Sequence, residues 1–332
     1  MREIPEIGLA LSGGAAHGLA HIGVLKALEE EAIPIDMISG TSMGALIGAC
    51  YAKERKVIVL EEIALGTDWM KLAHLADLNL ILLWKGFVQG QKVKSLLKSL
   101  IGDIKFKDLE IPFAAVATDA QSMEEIVISK GSVIEAVRAS ISLPMIFTPV
   151  KQGGRFLIDG GIVNPMPVDV VRNMGAKVVI AVNTIGIAQQ RRDRKPVEKK
   201  AQRKPSTYPK NTYLSLIEEK ITNLLRENKN KIKAFEELSD IAKTKLHDGR
   251  RMIDPETPNI FHVLMQSIHA MEYANLRLAA KSADILINPD VSHIGTFAFY
   301  NAEEAIAQGY KAAKDVLPKL QEMGCSTFAS PS

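Results

Sequence analysis

Cysteine is scarce in this chain of 332 residues. Cys50 and Cys325 are its two cysteines. That excludes a disulfide framework and leaves no spacing for a cysteine-held metal. A reducing compartment is the expectation. An excess of one charge is lacking too: the net charge is +3, too small to argue for nucleic acid as a partner. No apolar run approaches the roughly 20 residues that span a bilayer. The start, Met1 to Glu6, places acids and a proline ahead of the first apolar run, unlike a signal peptide. The chain therefore reads as cytoplasmic, with peripheral contact at a membrane surface left open. No H-E-x-x-H run and no EF-hand loop occurs, so no metal is expected.

What is present is apolar content of 47%, enough for one large domain or two average ones. The chain is organised around a G-x-S-x-G pentapeptide, Gly40 to Gly44, with Ser42 at its centre. A short apolar piece, Ile35 to Ile38, precedes it. A run of small and apolar residues, Ala45 to Ala52, follows and reads as a buried helix. Strand, sharp turn, helix is the context of a nucleophile elbow. Only small residues fit two positions either side of such a serine, and Gly40 and Gly44 meet that need. The bland alternative is an ordinary Gly/Ser turn.

The same logic applies earlier. Ile7 to Leu11 reads as a buried strand, and Leu19 to Glu31 as an amphipathic helix. Between them lies Ser12 to Gly18, a glycine-rich turn whose bare N–H groups suit an anion. A phosphate P-loop fails, because Leu19 and Ala20 follow Gly18 where Lys-Ser/Thr is needed. A dinucleotide fingerprint fails, because Ala15 stands at its middle glycine. With both excluded, no cofactor is implied. The third option is an oxyanion hole made by the N–H groups of Gly13, Gly14 and Ala15. The Ser42 strand should pair beside the first strand, in parallel, and end at the same sheet edge.

Further strands are expected at Phe113 to Thr118, Glu125 to Ser129, Arg155 to Ile158, Lys177 to Val182 and Ala283 to Ile287. Helices are expected at Gln91 to Leu100, Val133 to Ser140, Val168 to Asn173, Tyr213 to Leu246, Asn259 to Lys281 and Ala302 to Leu317. Leu78 to Trp84 with Phe87 and Val88 reads as core, or as a greasy wall for an acyl chain. Gln189 to Lys210 is strongly basic and broken by Pro196, Pro205 and Pro209. It reads as a solvated linker, or as a segment for anionic lipid headgroups.

A serine nucleophile needs a base. His293, in the loop Asp290 to Gly295, is the histidine placed as in an α/β-hydrolase triad. Against it, Ser42 follows only two strands, which is early for that fold. Asp159, at the end of a strand and followed by Gly160 and Gly161, is the other candidate.

Three blocks together resemble the patatin-like phospholipase family: Leu11 to Leu25, Gly40 to Gly44, and Phe156 to Val168. Ala139 to Pro144 and the stretch from Asp284 to the helix around Gly309 are similar to it as well. The likeness covers roughly residues 5 to 184 and 260 to 316. The resemblance implies a three-layer α/β/α fold with a mostly parallel sheet. It implies one domain over 5–316, with an insertion at 187–258 and a tail at 317–332. It implies a serine lipid acyl hydrolase, of phospholipase A or lysophospholipase type, acting on a phospholipid or lysophospholipid. It implies a dyad of Ser42 as nucleophile and Asp159 as base, with Gly18, Gly160 and Gly161 as motif support. A carboxylate base should keep activity at pH values where an imidazole with a pKa near about 6.5 is already protonated. The family's turn usually has glycine at Ala15 and arginine at His17. Acyl transfer on the same fold, and a catalytically idle lipid- or protein-binding member, stay as alternatives.

Overall fold

A computed structural model describes residues 6–67, 90–144, 146–185 and 260–325. The expected acyl wall at 78–88, the basic stretch 189–210 and the helix at 213–246 lie outside the described residues. Contacts divide the chain into a large unit, 1–206 with 271–332, and a smaller one, 207–270. Among the described residues no helix is long and apolar enough to cross a membrane.

The strands are β1 (Ile7–Leu11), β2 (Met37–Thr41), β3 (Phe113–Asp119), β4 (Glu125–Ile128), β5 (Val150–Gln152), β6 (Arg155–Asp159), β7 (Val178–Val182) and β8 (Ile285–Ile287). They form one sheet in the order β5-β6-β3-β2-β1-β7-β8, with β4 also on β3. The helices are α1 (Ala20–Glu30), α2 (Met43–Glu54), α3 (Val57–Gly66), α4 (Gly90–Ile101), α5 (Val133–Ser140), α6 (Val168–Asn173), α7 (Ile260–Ala279) and α8 (Ala302–Glu322).

β1 is buried along its whole length, as a central strand covered on both faces must be, and its sequence is accordingly apolar throughout. Alternate residues serve different layers. Leu9 and Leu11 join the large cluster with α1, α2 and α8, whereas Ala10 joins a second cluster with Val168 and Val171 of α6 and Leu276 of α7. β7 divides the same way, Ile180 and Val182 to one side and Val179 and Ala181 to the other. The result is a three-layer α/β/α fold. Its sheet is mixed: β8, β7, β1, β2 and β3 run parallel, while β4, β5 and β6 pair antiparallel.

One junction sets up the site. β2 pairs β3 up to Thr41↔Val116, and β6 pairs β3 from Ala117↔Asp159 onward. β4 occupies the opposite side of β3 over the same residues. β2 and β6 therefore meet end to end along one edge of β3. The residue after Thr41 is Ser42, and the residue that meets it is Asp159.

Candidate active site

Ser42 sits between β2 and α2 at φ 53° and ψ −120°. A side chain at this backbone conformation costs of order 1–3 kcal/mol, and such strain clusters at functional turns. The turn tolerates it because its flanks have no β-carbons. One on Gly40 would lie 2.5 Å from the Gly44 carbonyl oxygen, and one on Gly44 would lie 2.3 Å from that of Leu11. The Ser42 N–H donates to the Ser140 hydroxyl oxygen at 2.9 Å, and that hydroxyl donates to the Val116 carbonyl at 2.6 Å. Ser140 thus ties the elbow to β3 from the end of α5.

Asp159 is 2% exposed. Its carboxylate accepts a hydrogen bond from the Gly161 N–H at 2.8 Å, and the Ser42 hydroxyl lies near enough to favour its charged form. Its main chain is held as well: its N–H donates to Ser142 O at 3.0 Å, and the Thr118 hydroxyl donates to its carbonyl at 2.8 Å. Burial pushes the carboxyl up to about 7, against the Gly161 N–H and the Ser42 hydroxyl, which favour its charged form; Glu272 adds a smaller upward push. Gly160 lets the turn pass close under β3, where a β-carbon would meet the Val116 carbonyl oxygen at 2.3 Å.

The glycine-rich turn is fixed from β7. Thr184 donates its hydroxyl to the Gly13 carbonyl at 2.7 Å and its N–H to the Ser12 hydroxyl at 2.8 Å. Gly14 adopts φ 136°, open to glycine, and Ala15 adopts φ 49°, where a β-carbon is disfavoured. Among the described residues no acceptor takes the N–H of Gly14 or Ala15. Gly13 departs from the expectation. Its N–H donates to the Pro165 carbonyl at 2.9 Å, so it is turned away from a substrate oxygen. Gly13 lies close to the serine all the same: a β-carbon on it would come 3.4 Å from Cβ of Ser42. Gly18 makes room for the Met43 side chain, which a β-carbon there would meet at 2.4 Å.

The histidines lie elsewhere. His17 is buried and its Nε2–H donates to the Ile294 carbonyl at 2.6 Å. His21 donates Nε2–H to the Ser12 carbonyl at 2.8 Å, and burial lowers its pKa to about 4, so it is neutral. His293 pairs with Glu304 at 2.7 Å on the surface. Its loop does support the glycine-rich turn, but through the carbonyls of Ile294 and Thr296. Two residues near Ser42 and Asp159 were not singled out in the sequence, although Ser140 falls in the stretch Ala139 to Pro144 that resembles the family. Ser140 reads as an unremarkable helix-end serine, and Glu272 as one more charge on a long helix. Among the described residues no group of three or more His, Cys, Asp and Glu side chains is placed to hold a metal ion.

Fold and site together define a three-layer α/β/α domain with a serine on a strained strand–helix turn, set beside a buried aspartate. Residues 9–172 match the model of the patatin-like phospholipase family, and through this domain the chain belongs to that family. A stretch of 185 residues is 37% identical to neuropathy target esterase sws of Drosophila melanogaster, covering 54% of this chain and 13% of that protein. An uncharacterised NTE family protein of Mycobacterium tuberculosis is 36% identical over 186 residues, 55% of this chain and 50% of the relative. Human patatin-like phospholipase domain-containing protein 6 is 38% identical over 184 residues, 53% of this chain and 13% of that protein. The matched stretch is thus half of the mycobacterial relative and a small part of the animal ones.

Proposed function

We propose that this chain hydrolyses carboxylic esters of lipids, as a phospholipase A or lysophospholipase, through Ser42 and Asp159. The end-to-end meeting of β2 and β6 on β3, which sets Ser42 beside the buried Asp159 carboxyl, carries the reading. The relatives' names, an esterase and a phospholipase-domain protein, support a lipid ester as substrate.

The steps follow from the groups at hand. Ser42 Oγ attacks the acyl carbonyl carbon while Asp159 takes its proton. The N–H groups of Gly14 and Ala15, at the start of the short 3₁₀ turn leading into α1, hold the oxygen that becomes negative. Asp159 then gives the proton to the leaving alcohol, and an acyl-enzyme remains. A water molecule, deprotonated by the same carboxylate, attacks the ester; Asp159 then returns that proton to Ser42 Oγ as it leaves, freeing the acid and the serine. A carboxylate of ordinary pKa would be a feeble base here. Burial makes Asp159 a stronger one, at the cost of leaving it protonated in acid. Activity therefore rises with pH through about 7. That limb falls where an imidazole's would, so a pH profile does not separate Asp159 from a histidine base, contrary to the expectation from an ordinary carboxylate.

Variants do separate them. Wild type, Ser42→Ala, Asp159→Asn and His293→Ala are to be compared on a panel of lipids and p-nitrophenyl esters, with fluorophosphonate labelling beside it. Ser42→Ala should lose the covalent adduct in a folded protein. Asp159→Asn should lose at least about 10²–10⁴-fold in rate, the usual worth of a general base. His293→Ala should change little. An inactive His293→Ala beside an active Asp159→Asn would end this reading. Adding a competing alcohol and analysing the products tests hydrolysis against acyl transfer.

A further inference from the structure

Gly161 stands between two carboxylates. A β-carbon on it would lie 2.5 Å from Oε1 of Glu272 and 3.2 Å from Oδ1 of Asp159. The two acids thus face each other across one bare Cα, inside the roughly 4–6 Å over which like charges influence each other's titration. Glu272 reaches this place from α7, which is held to the turn after β6 by two more contacts. Asn275 Nδ2 donates to the Ile162 carbonyl at 3.1 Å. Leu276 is buried in the cluster formed with Met166, Val168 and Val171. Glu272 itself is half-buried, where its charge is less screened than on an open surface.

The other groups around Asp159 are polar but uncharged. They are the Gly161 N–H, the Ser42 hydroxyl from α2, the Thr118 hydroxyl from β3 and the Ser142 carbonyl beyond α5. Arg138 of α5 is turned to Ser142, Thr148 and the Phe147 ring. Glu125 of β4 and Asp169 of α6 are both engaged by Asn164. Among the described residues, Glu272 is the charged side chain set against the Asp159 carboxyl.

We propose that Glu272 is a positioning residue for the reaction: its carboxylate, set across Gly161 from that of Asp159, tunes Asp159 as the base toward Ser42. This rests on the reading of Asp159 as the base. The upward push of Glu272 on Asp159 agrees in direction. The consequence is a trade between acid and alkaline activity. With the charge removed, Asp159 stays ionised at lower pH but takes the Ser42 proton less readily.

The test uses full-length wild type, Glu272→Gln and Glu272→Asp. The Asp159 carboxyl is titrated by carbon NMR in aspartate-labelled protein, with Asp159→Asn to identify its resonance. Fluorophosphonate labelling rates are measured across the same pH range. In Glu272→Gln the Asp159 midpoint should fall by about one pH unit, the scale of a close charge pair, and the acid limb of labelling should fall with it. Glu272→Gln should then label several-fold faster than wild type near pH 5.5 and several-fold slower above pH 8. Glu272→Asp should stay close to wild type. Loss of a merely structural contact would lower rates at every pH and leave the midpoint in place. An Asp159 midpoint unmoved in folded Glu272→Gln overturns the proposal. A wild type that never labels is a different result, and it would bring down the Ser42 reading on which the proposal stands.

Discussion

A carboxyl group 2% exposed, with another carboxylate for its charged neighbour, is a burden on the fold. Asp159 has a pKa of about 7 in the folded chain, above the value of about 3.9 in an unfolded one. A group raised on folding contributes fully to stability below its unfolded pKa, and that contribution is lost as pH rises through the folded one. The window here runs from about pH 4 to about pH 7. Asp159→Asn, which cannot ionise, should therefore be more stable than wild type at pH 8, by on the order of a few kcal/mol, and unfold at a higher temperature. The advantage should vanish near pH 4. Thermal unfolding of both proteins at the two pH values checks this; an equal difference at both would contradict it. At this scale the sequence was legible where the constraint is local. Ser42 was readable because its elbow needs glycines at fixed offsets. Asp159 stood out through its D-G-G turn and its company. Gly13 misled, because the destination of its N–H is decided by Pro165, far along the chain. The roles of Ser140 and Glu272 were hidden for the same reason: their partners come from other elements.

Helix packing shows how much rests on two small residues. α1 and α8 approach so closely that a β-carbon on Gly23 would lie 1.9 Å from the Ile306 carbonyl oxygen, and one on Gly309 would lie 1.9 Å from that of Ala20. Backbone stands in the way in both cases, so no rotamer change relieves the clash. Gly309→Ala should separate the helices and cost about 1–3 kcal/mol, as overpacking does. Denaturant unfolding would measure it, and a variant as stable as wild type would count against the close packing. Most elements were legible from apolar period and punctuation. α5 and α6 have the expected limits, and β1, β3 and β7 lie within a residue of theirs. β5 was missed, since Val150 to Gln152 is three residues long and takes its strand character from pairing with β6. α8 was expected to stop before Pro318. It continues to Glu322, into the stretch expected as a tail, because Leu320 is buried and Cys325 is seated in the core beyond it.

For the whole molecule, the sequence indicated the layers and the parallel centre of the sheet but not its antiparallel end. The antiparallel direction of β4 and β6 is settled by their pairing with β3, and that of β5 by its pairing with β6, which no local pattern encodes. The basic stretch 189–210 carries a prediction that comes from composition alone. We propose that it draws the protein to anionic membranes, with each basic residue near the surface contributing on the order of 1 kcal/mol. The attraction should be screened over a Debye length of about 8 Å at physiological salt. Deleting 189–210 should abolish salt-sensitive binding to vesicles rich in phosphatidylserine. Binding that ignores salt, or survives the deletion, would rule the idea out. A last consequence belongs to the junction on β3. Thr41 and Asp159 pair with consecutive residues, Val116 and Ala117, so a single peptide unit of that strand is the ruler that spaces nucleophile and base. The connections on either side of β3 can change in length without touching the ruler. A graft of this site onto another sheet would need little more than three strand ends and their glycines. A slip of β6 by one residue, a shift of about 3.3 Å, would turn the aspartate to the other face and separate the pair.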